Sequence, residues 1–307
     1  MGVKFLNAYI NANCIGVRKC NLNEFSNKRI VVDASIYLYK YKGQKMLIEG
    51  IVNLIGLFAE YNIRPVFVFD GKPKHAKENE LIERKKNKEC AWQQLKALQS
   101  QGQTDETLQM NSTRVSKSDI CMVKYILTQL GILYIDALHE ADEVCAMLMT
   151  NNQVDVCLSD DTDMFVYGCN TVIRELSLDG VGRVYNLSKI LFSMNMDFQT
   201  FKQLCIISGT DYYKSGKNLY YYINLYKKCP PFCNNFYGWL YHHGYIKDYD
   251  SLRQAFNNYE LDPYLDKYKI LHIPPIHHLT EQINLSSSGR LCLLEMLTHV
   301  PLKVEVC

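Results

Sequence analysis

Acidic side chains stand at the ends of apolar runs and in tight clusters along this 307-residue chain. Their contexts are Val32-Asp33-Ala34-Ser35, Phe69-Asp70-Gly71-Lys72-Pro73, Glu140-Ala141-Asp142, Asp161-Thr162-Asp163 and Gly209-Thr210-Asp211-Tyr212. Carboxylate oxygens are hard ligands that suit magnesium or manganese, and the set has no His or Cys to favour zinc. Seven carboxylates could not converge alone, because like charges at one place repel. Two divalent cations about 4 Å apart would neutralise them and clamp the attacking and leaving oxygens of an in-line displacement. Each piece also has a plainer reading. A single Asp closing a strand commonly caps a helix or shapes a turn. Glu140 and Asp142 suit a first helical turn, where the dipole favours acids. Lys77 and Arg84 suit a solvated helix face with Glu partners four residues away, and Tyr39 could simply fill core or surface.

The elements that would have to position these acids can be read from the apolar pattern. Arg29–Asp33, Pro65–Asp70 and Val154–Ser159 are short β-branched or aromatic runs that lead into acids. Such runs suit strands of a parallel sheet covered on both faces. Met46–Tyr61 carries apolar residues at helical spacing, and Met122–Leu130 and Glu143–Met149 also read as helices. Strands and helices alternate, so the fold class is α/β with a mostly parallel central sheet flanked by helices. In such sheets ligands bind at the carboxyl ends of the strands, where Asp33, Asp70 and Asp161 fall. Residues 76–100 read as one long polar helix, on which Lys77 and Arg84 lie two turns apart and share a face. Gln101–Thr113 reads as a flexible loop. Beyond about residue 225 the sequence becomes Tyr-, Asn- and Lys-rich and reads as a smaller, mostly helical appendage.

The ordered set of motifs, Met1-Gly2, Phe69-Asp70-Gly71-Lys72-Pro73 and Ser208-Gly209-Thr210-Asp211-Tyr212 included, resembles the flap endonuclease/XPG family of structure-specific 5′ nucleases. The likeness runs from Met1 to about Tyr213. It implies the PIN-like fold of these nucleases. The nuclease domain would cover residues 1–225, with an N-terminal segment at 1–100, a helical arch at about 76–115 and an internal segment at 116–225. A helical extension would occupy 226–307. The likeness also implies roles. Asp33, Asp70, Glu140 and Asp142 match acids around a first metal, and Asp161, Asp163 and Asp211 those around a second. Lys77 and Arg84 match the basic pair of the arch, which would stabilise charge on the phosphate. Tyr39 matches an aromatic residue that stacks on a nucleotide, and Gly2 an amino-terminal glycine near the site. Gly209, Gly216 and Lys217 fall where the family holds duplex DNA. The expected cofactor is two Mg2+ per subunit, with Mn2+ able to substitute. The expected reaction is hydrolysis of DNA at 5′ flaps or other single-strand/double-strand junctions, in repair or replication.

The sequence departs from the family in three places. Asp142 stands where Glu is usual, one methylene shorter. After Asp211 the usual Gly-x-Gly turn of a helix–two-turn–helix is replaced by Lys214-Ser215-Gly216-Lys217-Asn218-Leu219, where Gly216 can supply one close approach to phosphate and Lys214, Lys217, Lys227 and Lys228, with tyrosines 220 to 222, could replace the rest with side-chain contacts. The tail shows neither a sliding-clamp box nor a basic nuclear signal.

Bulk composition narrows the classes further. Net charge is only +2, so affinity for nucleic acid must come from a local patch. Lys72–Lys88 supplies one, with seven cations against three carboxylates. No window is apolar enough to span a bilayer, and no signal peptide opens the chain, so an intracellular protein is expected, nuclear or at a cytoplasmic replication site. The twelve cysteines then read as reduced thiols. Cys229, Cys233, His242 and His243 match no standard zinc spacing and read as a structural loop. A monomer acting on branched or flapped DNA is expected. The alternatives are a catalytically weak junction-binding protein, a PIN-like ribonuclease, and a phosphatase built on Asp161-Thr162-Asp163, which would leave Asp33 and Asp70 unexplained.

Overall fold

The computed structural model describes residues 2–230, 235–262, 267–268 and 273. Its strands are β1 (Val17–Asn21), β2 (Arg29–Asp33), β3 (Arg64–Phe69), β4 (Leu133–Asp136), β5 (Val156–Leu158), β6 (Thr171–Arg174) and β7 (Val181–Asn186). Its helices are α1 (Leu6–Asn13), α2 (Ala34–Gly43), α3 (Leu47–Glu60), α4 (Glu78–Ser100), α5 (Glu106–Ser112), α6 (Lys117–Gln129), α7 (Ala141–Thr150), α8 (Asp163–Val166), α9 (Leu187–Met194), α10 (Phe198–Ile207), α11 (Leu219–Tyr226), α12 (Phe236–His242) and α13 (Tyr249–Asn257). The class is α/β with mostly parallel pairing, as the sequence predicts.

The chain divides into two compact units. One takes in the described residues of Asn21–Ala141, Leu176–Val181 and Ile270–Cys307; the other takes in those of Met1–Cys20, Asp142–Glu175 and Gly182–Lys269. In the first, β2, β3 and β4 run parallel in that order, with Val31 opposite Val66 and Val66 opposite Leu133. Ile30, Val31, Val32, Val66, Phe67 and Val68 are fully buried, which is why β2 and β3 read as unbroken apolar runs rather than alternating ones. The crossover from β2 to β3 passes through α3, whose Ile51, Leu54, Ile55 and Phe58 are buried. In the second unit the strand order is β1-β7-β6-β5. Strands β5 and β6 are parallel, and β6 and β7 antiparallel.

Two expectations are corrected here. Gln101–Thr113 is not a loop throughout: Asp105 caps α5 by accepting the Leu108 N–H at 2.9 Å, and α5 packs against α4. Lys77 does not ride on the long helix. It lies in a single 3-10 turn, His75–Lys77, immediately before Glu78 begins α4. Of the expected appendage, α12 and α13 are helical; most of the chain after Asp262 lies outside the described residues. Among the described residues, no helix is long and apolar enough to cross a membrane.

Candidate metal and nucleic-acid site

In the unit built on β2, β3 and β4, two acids stand at the carboxyl ends of neighbouring parallel strands. Asp33 ends β2 and Asp70 follows β3. Asp33 occupies the N-cap position of α2, yet its side chain makes no capping bond, so the plainer helix-cap reading fails for it. Asp33 is buried, at 4% exposure. Asp70 is held by two donors: its Oδ1 accepts the Ala141 N–H at 2.8 Å, and its Oδ2 accepts the Ser35 hydroxyl at 2.5 Å. Ala141 opens α7, so Asp70 sits against the helix start that directly follows Glu140. An amino-terminal helix end favours carboxylates there.

Gly71 allows this approach. Its N–H donates to His139 O at 2.8 Å and the Lys72 N–H to Leu138 O at 3.1 Å, tying the Asp70 segment to the loop between β4 and α7. A Cβ on Gly71 would lie 2.0 Å from Ala137 O, so only glycine fits. Glu140 Oε2 accepts from Lys77 Nζ at 2.7 Å, and Lys77 is 6% exposed. The basic residue expected above the acids is thus bonded to one of them, placed there by its 3-10 turn. Arg84 is on α4 and pairs with Glu80 four residues back, as the solvated-face reading has it. Tyr39 of α2 is partly exposed, with Lys88 Nζ of α4 4.1 Å from its ring centroid.

In the other unit a second group of acids gathers. Asp161 and Asp163 are both buried, and the Asp163 N–H donates to Asp161 Oδ1 at 2.9 Å. Gly2 lies directly on them with φ +81°, and a Cβ there would meet Asp161 Oδ1 and Thr162 Oγ1 at 2.3 Å. The Tyr167 hydroxyl is pushed well above its ordinary pKa by burial, and further by Tyr212, Glu143, Asp142 and Asp163. Tyr259 is also buried. Its hydroxyl donates to Asp163 Oδ2 at 2.7 Å, and burial and the Asp163 charge raise its pKa far enough that it remains a donor. Asp211 sits in a tight turn closed by Thr210 and Tyr213, whose backbones bond at 3.0 and 3.3 Å. Gly209 enters that turn at φ +110°, a conformation that favours glycine. Gly216 and Lys217 are exposed on the segment before α11, directly after Ser215, which packs within 4 Å of where a Gly209 Cβ would stand. The start of α11 is capped by the Asn218 side chain, which accepts the Tyr221 N–H at 3.1 Å.

Glu143, Ser35 and Tyr259 escaped the sequence reading. Glu143 is one residue past the Glu140/Asp142 pair and is buried, but adjacency alone carries no such information. Tyr259 is one of 22 tyrosines and lies 96 residues from Asp163, so nothing in the sequence marked it. Among the described residues, no three His, Cys, Asp or Glu side chains close on one point as a ligand cage. The donor chemistry of each group still fits a hard divalent cation: carboxylate oxygens, some already oriented by N–H and O–H donors, with no thiolate or imidazole. Of the zinc candidates, Cys229 is half-buried and His243 Nδ1 lies 2.9 Å from Trp239 O; Cys233 is outside the described residues.

The fold is shared with nuclease cores of known structure. A structure described as the catalytic core of Rad2 in complex with DNA substrate aligns over 96% of this chain and all of its own, with a TM-score of 0.65 at 21% identity. Flap endonuclease-1 from Methanococcus jannaschii aligns over 96% of this chain and 98% of its own, with a TM-score of 0.60 at 16% identity. Residues 1–91 match the XPG N-terminal domain and residues 131–211 the XPG I-region, together more than half the chain. The chain belongs to the flap endonuclease/XPG family. Flap endonuclease 1 of Theileria parva is 28% identical over 295 residues, covering 87% of this chain and 58% of the relative. Flap endonuclease 1 of Cryptosporidium muris is 30% identical over 245 residues, covering 69% and 52%. The chain thus spans little more than half the length of these curated relatives.

Proposed function

We propose that the chain is a structure-specific, divalent-metal-dependent endonuclease that hydrolyses DNA at single-strand/double-strand junctions such as 5′ flaps. The observation that carries this reading is the position of Asp70. It follows a parallel strand and bonds the first N–H of α7, bringing its carboxylate to the helix start that directly follows Glu140. Asp33, Asp70 and Glu140 would hold one cation, and Asp161, Asp163 and Asp211 a second, magnesium or manganese in each case. When bound, the cations would neutralise the acids and supply the charge that activates water and stabilises the leaving oxygen.

The chain's own groups do the rest. Ser35 and the Ala141 N–H fix the Asp70 carboxylate. Gly2 leaves room for Asp161 and Asp163 to sit against the backbone. Lys77 holds Glu140 and brings a positive charge to the acids, and Arg84 and the lysines of α4 offer phosphate contacts. Tyr39 presents a ring for stacking on an unpaired base, as aromatic faces do in single-strand recognition. Bases unstack at least cost at junctions and ends, which gives selectivity for structure rather than sequence. Family membership and the DNA-bound Rad2 structure support DNA as the partner.

The test is a panel of 5′-labelled flap, bubble, nicked and four-way DNAs, and matching RNA flaps, incubated with Mg2+ or with EDTA. Magnesium-dependent incision at the flap junction is expected, and Asp161→Ala should lose it while still binding the junction. Binding without incision by the wild type would make the protein a junction binder, and preferential cutting of RNA would make it a ribonuclease.

A further inference from the structure

We propose that the Tyr259 hydroxyl is a positioning group for Asp163, locking the carboxylate in the orientation in which it would hold a divalent cation. The inference rests on the metal reading above and adds a residue to it. Tyr259 lies beyond both family regions, which end at residues 91 and 211. Its hydroxyl reaches Asp163 Oδ2 at 2.7 Å, with Tyr259 at 1% and Asp163 at 2% exposure. Water does not compete for a bond buried to that depth.

The tyrosine is itself held in place. Lys202, 3% exposed, donates to the Tyr259 carbonyl at 2.9 Å and to Glu260 at 2.8 Å. The Tyr259 ring packs against Tyr167 at 4.9 Å between centroids and, edge-on, against Tyr212 at 5.2 Å. Tyr212 directly follows Asp211, and the Asp163 N–H bonds Asp161, so one ring braces the surroundings of three acids. The geometry is that of an outer-shell donor, which fixes how a ligating carboxylate presents its remaining oxygen. Loss of such a donor typically weakens metal binding by about 10–100-fold.

Tyr259→Phe removes only the hydroxyl. Calorimetric titration of the DNA-free protein with Mn2+ should show the dissociation constant rising by about 10–100-fold. The Mg2+ concentration for half-maximal cleavage should move by a similar factor, with KM for flap DNA unchanged and the rate recovered at saturating metal. Tyr185→Phe, which deletes another buried hydroxyl of the same unit, one bonded to Asn7, should leave Mn2+ binding unaltered. Lys202→Met keeps the hydroxyl but slackens its mounting, and should shift Mn2+ affinity in the same direction by less than about tenfold. Wild-type Mn2+ affinity in Tyr259→Phe, at whatever melting temperature, overturns the inference and leaves the metal reading standing; so does wild-type affinity in Lys202→Met if Tyr259→Phe fails to fold. A wild-type protein that takes up no Mn2+ overturns the metal reading itself, and Tyr259 with it.

Discussion

A methyl group on Gly2 would land 2.3 Å from Asp161 Oδ1 and Thr162 Oγ1, and both side chains are short and buried. Neither can swing aside cheaply, and the left-handed backbone at Gly2 strains any other residue. Gly2→Ala is therefore expected to displace Asp161 and lower flap cleavage at least about tenfold, because misplacement of a ligand by a fraction of an ångström is costly. Single-turnover rates at saturating DNA check this, and an unchanged rate would show that Asp161 does no chemistry. The pair Lys77–Glu140 makes a second residue-scale prediction. Its side chains are 8% and 14% exposed, so the ion pair is largely desolvated. Lys77→Met leaves Glu140 without that ammonium, and removing one partner of such a pair costs about 3 kcal/mol. Added Mg2+ should restore some of the loss, so the variant's melting temperature should rise more with magnesium than the wild type's does. Equal rises in the two proteins would separate Glu140 from the metal.

Between strands and helices, a single atom also decides the outcome. Gly71 has Ala137 O 2.0 Å from where its Cβ would stand, and that oxygen is backbone. Gly71→Ala must push the Asp70 segment off the loop between β4 and α7, at an expected cost on the order of 2 kcal/mol in urea unfolding. Helix α6 starts with a capping box in which Ser116 and Asp119 bond each other's backbone, and Lys42 Nζ of α2 donates to Asp119 at 2.7 Å. Burial alone would raise the Asp119 pKa; Lys42 and Ser116 outweigh it and hold it below the usual Asp range. A carboxylate depressed in the folded state stabilises above its unfolded pKa of about 3.9, and loses that contribution as pH falls through the folded value. Asp119→Asn should therefore cost about 1 kcal/mol at pH 7, and the difference from wild type should disappear in acid. These elements were unevenly legible in the sequence. Strands β2 and β3 and helix α3 announced themselves because both faces, or one clear stripe, are buried. Strand β4 is four residues of mixed exposure, and β7 carries Gly182 and an exposed Arg183, so neither leaves a pattern. Helix α5 was hidden because its stability comes from the Asp105 cap and from packing on α4 rather than from any apolar period. The acids at strand ends could be read from their positions, whereas Lys77–Glu140 and Tyr259–Asp163 could not, since each joins residues far apart in the chain.

Taken as a whole, the chain has a net charge of only +2, yet the proposed substrate is a polyanion. Affinity must then come from the Lys72–Lys88 stretch, and some of its charge is already engaged: Lys77 with Glu140 and Arg84 with Glu80. Lys85 and Lys86 are exposed on α4 and project from a helix that buries only Ala91 and Leu95 among its described side chains. Each phosphate neutralised adds about −0.9 to the slope of log affinity against log salt for a duplex, and about −0.7 for a single strand. Replacing Lys85 and Lys86 together with Ala should thus flatten the slope by about 1.4–1.8 and weaken binding evenly across DNA sequences. It should leave cleavage at saturating DNA unchanged, because neither ammonium bonds any of the site acids. Fluorescence anisotropy with a labelled flap between about 50 and 200 mM salt would measure both effects. An unaltered slope would mean that α4 does not touch phosphate, and the search for the DNA surface would move to Lys214, Lys217, Lys227 and Lys228 around α11. A flattened slope accompanied by a lost rate at saturation would instead mean that α4 aligns the scissile strand as well as attracting it.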